Sequence, residues 1–224
     1  MLWEWANDRS TVFILDLDGT LMPSAEIDNQ CFWEAVFRCY GKKESLPDLH
    51  GFKHVTDTGI LDEWCIGEIG RPPLRAETEQ IKQLFLQLLQ AAASSNPAQF
   101  TALPGVCDWL EAVSKNAMVH AGIATGGWER SASMKMKLSG LDRFNLPLAS
   151  SDDAAPRTEI MRNAAQKTFI EPLDFEADYI YIGDRIWDLQ ASQELGWGFI
   201  GIATGAPATL LQQAGATHIQ PDFR

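Results

Sequence analysis

Val12-Phe13-Ile14-Leu15 running into Asp16-Leu17-Asp18-Gly19-Thr20 is the stretch on which the fold turns. Four apolar residues, β-prone in aggregate, meet two acids and a glycine without an intervening helix signal, so a buried strand is expected to empty into a turn at Gly19. Working outward, apolar β-prone runs recur at Met118 to Ala124, Asp178 to Ile182 and Trp197 to Ile202, with helix-like segments beginning near Gly105, Trp128, Arg157 and Arg185. Alternation of this kind predicts a parallel sheet with helices on its faces, joined by right-handed crossovers.

Between the first strand and the second the pattern differs. Ala25 to Tyr40 carries apolar residues near helical spacing, with Ser24 as a candidate N-cap and Gly41 as a candidate stop. Two more helices are expected, from about Asp57 to Ile69 and from about Leu74 to Ala93, before Ser94-Ser95-Asn96-Pro97 punctuates the chain. The expected class is therefore α/β: a Rossmann-like core built from residues 1–23 and 98–224, with an α-helical cap domain of residues 24–97 inserted into it.

The chain has 224 residues, 46% hydrophobic and 21% charged, enough for such a core and its insert. Its formal net charge of -12 repels nucleic-acid phosphates and anionic lipid, which argues against nucleic-acid or membrane partners. A small phosphate would be repelled as well unless a local cation reversed the field. Cys31, Cys39, Cys65 and Cys107 form no CxxC pair and are expected as reduced thiols. The amino terminus has no signal-like segment and no apolar run approaches the roughly 20 residues of a membrane helix, so a cytoplasmic location is expected. The sequence is silent on whether the chain is a monomer or a homodimer. Its eight tryptophans, Trp3 and Trp5 among them, are expected mainly as packing anchors, although Trp128 and Trp187 flank polar candidates.

In open α/β sheets, ligands bind at the carboxyl ends of the strands. Asp16 and Asp18 follow the first strand, Thr125 follows Met118 to Ala124, Arg157 opens a helix after Leu148 to Ser150, and Asp184 and Asp188 follow the run ending at Ile182. Carboxylates converging on one sheet edge raise one another's pKa unless a cation sits among them, and a hard divalent ion with oxygen ligands, Mg²⁺ best of all, resolves that conflict. A carboxylate held beside a phosphate can attack phosphorus, a second can move the proton of the leaving oxygen, and a hydroxyl and a fixed cation, Thr125 and Arg157, can flank the transferring group.

Four motifs in this order, Asp16-Leu17-Asp18-Gly19-Thr20, Ala124-Thr125-Gly126-Gly127, Arg157 and Gly183-Asp184-Arg185-Ile186-Trp187-Asp188, make the sequence resemble the haloacid dehalogenase superfamily of hydrolases, in its phosphoglycolate phosphatase and β-phosphoglucomutase-like group. The resemblance spans nearly the whole chain and includes Leu103-Pro104-Gly105-Val106 at the return from cap to core. It implies a Mg²⁺-dependent phosphomonoester hydrolase acting on a small phosphorylated metabolite through an aspartyl-phosphate. Asp16 would be nucleophile and metal ligand. Asp18 would be general acid/base and lend its backbone carbonyl to the metal. Asp184 would complete the protein ligands, Asp188 would orient a metal-bound water or a loop, and Thr125, Gly126 and Arg157 would hold phosphate. A β-phosphoglucomutase-like phosphomutase and a slow binding or regulatory protein on the same fold are the alternatives.

Two positions depart from the family pattern: the basic residue is Arg157 where lysine is usual, and Gly126 stands where many relatives have asparagine. In the cap, the loop His50-Gly51-Phe52-Lys53-His54 is similar in position to the substrate-specificity loop of β-phosphoglucomutase-like relatives, which makes Lys53 and His54 candidate substrate contacts.

Overall fold

A computed structural model describes residues 9–43, 45–168 and 177–224; Trp3 and Trp5 lie outside them. Six parallel strands, β1 (Thr11–Leu15), β2 (Val119–Ala124), β3 (Leu148–Ala149), β4 (Asp178–Gly183), β5 (Gly198–Ile202) and β6 (Ile219–Gln220), lie in the order β3-β2-β1-β4-β5-β6. Every residue of β1 is buried, as the unbroken apolar run requires of a strand covered on both faces. The chain leaves β1 for β2 on one side and later reaches β4 on the other, so β1 and β4 bound the switch point at which such sheets bind ligands.

Register brings the motifs level. Leu15 pairs with Ile123 on one side and with Ile182 on the other. Residues 16–18, 124–126 and 183–185 therefore emerge together at one edge of the sheet.

Helices cover the sheet: α4 (Val106–Ser114) and α5 (Glu129–Ser139) pack with the cluster that includes Phe13, Leu15 and Trp109, while α6 (Arg157–Thr168), α7 (Ile186–Leu195) and α8 (Gly205–Gln213) pack with Val12, Ile14 and Tyr181. Between β1 and β2 the chain makes α1 (Ala25–Tyr40), α2 (Asp57–Ile69) and α3 (Arg75–Ser95), which share an aromatic core of their own around Phe32, Trp33, Phe37, Trp64 and Phe85. Burying side chains of this kind contributes roughly 1.5–3 kcal/mol each, and Trp33, which touches Phe32, Phe37, Phe52 and Trp64, is fully buried.

The helix α1 ends as expected at Gly41, in the left-handed region with φ 65°. Its start differs: Ser24 makes no side-chain cap, because its hydroxyl is used by Asp18. The helix α3 runs two residues beyond the expected Ala93, and Leu74 at its head has no polar side chain, so Glu77 accepts the Leu74 N–H at 2.7 Å instead. All four cysteines are free, and no helix among the described residues is long and apolar enough to cross a membrane.

Candidate active site

The Asp16 N–H donates to the Ile182 carbonyl at 2.9 Å, which holds the first acid against the end of β4. The turn after Asp18 needs glycine twice over. Gly19 has φ +88°, and a Cβ there would lie 2.2 Å from Asp184 Oδ2. Close approach of the two loops gathers Asp16, Asp184 and Asp188, all buried, with one carboxylate oxygen of each within 4.8 Å of the others. Burial, then the neighbouring Asp188, pushes the Asp16 carboxyl well above the usual range, with Arg157 partly offsetting; burial likewise pushes Asp184 up to about 7 against the pull of Arg185. Asp184 Oδ1 is buried without a hydrogen-bond partner. Hard oxygen donors, crowded negative charge and an unsatisfied carboxylate oxygen fit a divalent cation, which Asp16 and Asp184 could hold.

Asp188 is committed to structure. Its Oδ2 accepts the N–H groups of Asp184 at 3.2 Å and Arg185 at 3.0 Å, and its Oδ1 lies 3.0 Å from Arg157 Nη1. It fixes the loop that presents Asp184 while neutralising the arginine. Arg157 Nη1 also stands 3.4 Å from Asp16 Oδ1 and 3.3 Å from the Tyr181 hydroxyl, which itself donates to the Ala124 carbonyl at 3.1 Å. Nη2 donates to the Val55 carbonyl of the cap at 2.9 Å.

The two departures from the family pattern are complementary. A Cβ at Gly126 would lie 2.6 Å from Arg157 Nη2 and 3.1 Å from the Val55 carbonyl oxygen. The guanidinium head occupies the space that a side chain at 126 would need, so the larger cation and the missing side chain go together.

Asp18 lines the same cavity, and both its carboxylate oxygens are engaged: Oδ1 accepts the Ser24 hydroxyl at 2.5 Å and Oδ2 accepts the Lys135 ammonium at 2.5 Å. Lys135 is fully buried on α5 and also donates to Asp28 of α1 at 2.6 Å. Burial, with Asp18 nearby, raises Asp28 to about 6. Thr125 is buried, and its hydroxyl oxygen accepts the Gly127 N–H at 3.1 Å. The next amides are taken by acids, Trp128 N–H by Asp57 at 2.9 Å and Glu129 N–H by Asp152 at 2.8 Å. Of the amides in this turn, that of Gly126 has no acceptor among the described residues.

The cavity over these groups measures about 420 Å³ and is lined on the cap side by Glu26, Asp28, Asn29, Phe32, Asp57 and Ile60. Asp16, Asp18, Thr125, Gly126, Arg157, Asp184 and Trp187 all line it. Lys53 and His54 do not. They line a second cavity of about 470 Å³ on the far side of Val55 and Arg157, where their backbone N–H groups are fastened to Glu63 at 3.0 and 3.1 Å. Trp128, although beside a motif, is buried in the aromatic core of the cap, 5.5 Å from Phe32 and 5.9 Å from Phe85.

Lys135, Asp28, Asp57 and Tyr181 were not singled out from sequence. Lys135 leaves one legible signal: it falls with Ala132 and Met136 on the buried stripe of α5, where a lysine is out of place. Tyr181 reads simply as strand core.

A family model described as haloacid dehalogenase-like hydrolase matches residues 13–202. No curated protein matches the chain. Among solved structures, a hydrolase from Pseudomonas syringae is 25% identical with a TM-score of 0.71, covering 95% of this chain and 94% of its own. CbbY from Rhodobacter sphaeroides in complex with phosphate (19% identity, TM-score 0.68, covering 96% and 95%) and a predicted phosphoglycolate phosphatase from Haemophilus somnus (16%, 0.63, covering 97% and 96%) share the fold. With the family model spanning most of the chain and the acid cluster seated at its expected strand edge, this protein belongs to the haloacid dehalogenase-like hydrolases.

Proposed function

We propose that the protein is a Mg²⁺-dependent phosphomonoesterase of the cytoplasm that acts on a small phosphorylated metabolite through a phosphoryl group carried by Asp16. The observation that carries this reading is the convergence of Asp16, Asp184 and Arg157 under one cavity, with Asp18 beside them. CbbY of Rhodobacter sphaeroides, solved with phosphate on the same fold, supports the choice of ligand class, and four free cysteines accord with a reducing compartment.

The carboxylates of Asp16 and Asp184 and the backbone carbonyl of Asp18 would hold Mg²⁺, which would neutralise charge on the acids and the phosphate oxygens. Arg157 and the Thr125 hydroxyl, with the free Gly126 N–H, orient the phosphate and stabilise charge on its equatorial oxygens. Asp16 attacks phosphorus as the ester P–O bond breaks, and Asp18, protonated in the substrate complex at the oxygen that otherwise accepts from Ser24 while Lys135 keeps the other, gives that proton to the departing alkoxide. Asp18, now a carboxylate, takes a proton from water as that water attacks the aspartyl-phosphate, releasing inorganic phosphate and restoring both acids. The cap helices wall one side of the cavity, which limits the access of bulk water to the phosphate.

A phosphate-release screen over phosphorylated metabolites, with and without Mg²⁺ and with Asp16→Asn as the blank, tests this reading. Mg²⁺-dependent release that vanishes in the blank is expected. Release by Asp16→Asn at the parent rate, or isomerisation of a sugar phosphate without release, would overturn it.

A further inference from the structure

Lys135 is an ammonium with no exposure at all, in the middle of a helix that faces the core, and burying such a charge is unfavourable unless its partners are well placed. Its partners are Asp18 at 2.5 Å and Asp28 at 2.6 Å, an acid of the catalytic turn and an acid of the first cap helix. The second oxygen of Asp18 is held by Ser24, the residue from which α1 springs. Both oxygens of Asp18 are thus gripped by groups that belong to, or are tied to, the head of α1. A carboxyl that must deliver a proton to a leaving oxygen depends on its aim, and a misplacement of about an ångström can cost 10²-fold in rate.

We propose that Lys135 is a positioning residue that sets the orientation of Asp18 and, through Asp28, couples it to the seat of α1. The proposal rests on the assignment of Asp18 as the proton donor to the leaving group. A donor matters for a poor leaving group and little for a good one. The test is therefore kcat/KM, which reports steps through the first phosphoryl transfer, for phenyl phosphate and for 2,4-dinitrophenyl phosphate.

In Lys135→Met, kcat/KM for phenyl phosphate is expected to fall about 100-fold and for the dinitrophenyl ester by less than about fivefold. Lys135→Arg should recover part of the loss. Equal losses on the two esters, the mark of a merely structural role, would overturn the proposal, as would no loss. Asp18→Asn is run alongside. If it shows the selectivity and Lys135→Met does not, the assignment of Asp18 stands and the role of Lys135 falls; if Asp18→Asn shows none, both fall. Should Lys135→Met fail to fold, Lys135→Gln combined with Asp28→Asn keeps the net charge of the cluster, and the same selectivity is expected of it, with equal losses again decisive against the proposal.

Discussion

Arg157 stands where the sequence resemblance leads one to expect lysine, and its surroundings explain how it is accommodated. The guanidinium reaches Asp16, Asp188 and the Val55 carbonyl at once, which a lysine ammonium on a shorter, unforked side chain does not do. Room for it comes from Gly126. Gly126→Ala is expected to displace the guanidinium and lower turnover by about 10- to 100-fold, because a small error in the cation's position acts on rate. Arg157→Lys in the same chain should restore part of that loss, giving a coupling of about 1 kcal/mol or more in a double-mutant cycle of kcat/KM. Strict additivity would show that the two positions are independent. The acids at this scale were legible because each follows an apolar run; Lys135 and Asp28 were not, since their partners lie 117 and 107 positions away along the chain and no local pattern joins them.

At the scale of elements, the cap helices are seated on the core by polar bonds and by one inserted side chain. Asp57 N–H donates to the Gly126 carbonyl and the Thr56 and Thr58 hydroxyls donate to the carbonyls of Ala155 and Ser151, each at 2.8 Å. Lys82 pairs with Asp152 across the same boundary. Trp128, from the start of α5, packs inside the cap's own aromatic cluster and donates its indole N–H to Thr58 at 3.0 Å. Trp128→Ala is therefore expected to cost about 3–5 kcal/mol of stability, measured by urea denaturation, and to loosen the docking of α1 and α3 rather than the sheet. A loss below about 1 kcal/mol would contradict the inserted-anchor account. The long helices of the cap were read from sequence to within a residue or two, because the spacing of their apolar residues and the breaks that bound them, Gly41, Gly70 and Asn96-Pro97, are local. The helix α8 and the two-residue strand β6 escaped, since a two-residue strand is defined by its neighbour, β5, and not by its own composition.

For the whole molecule, the fold brings like charges together at one sheet edge, where the proposed cation would offset them. Asp184, raised to about 7, sits above the ordinary carboxylate value of about 3.9, so its contribution to stability is complete below pH 4 and is lost as the pH rises through 7. A divalent ion bound to the ionised cluster would recover that loss. The rise in melting temperature on adding Mg²⁺ should therefore grow between pH 5 and pH 8, and Asp184→Asn should flatten both the pH dependence and the response to the ion. A Mg²⁺ effect of equal size at both ends of that range would argue against binding at this cluster. The sheet order that brings Asp16 and Asp184 to one edge could be anticipated from the alternation of strands and helices, whereas the placing of Lys53 and His54 beyond Arg157 depends on the hold of Glu63 on their backbone N–H groups, which no periodicity encodes.

The most direct test of the account is to look for phosphorus on Asp16. Rapid acid quench of the Mg²⁺-loaded enzyme during turnover of a ³²P-labelled phosphomonoester, followed by peptide mapping, should place an acid-stable, hydroxylamine-labile label on the peptide containing residue 16, with none in Asp16→Asn. Product formation with no label on that peptide, or with label on another residue, would contradict it.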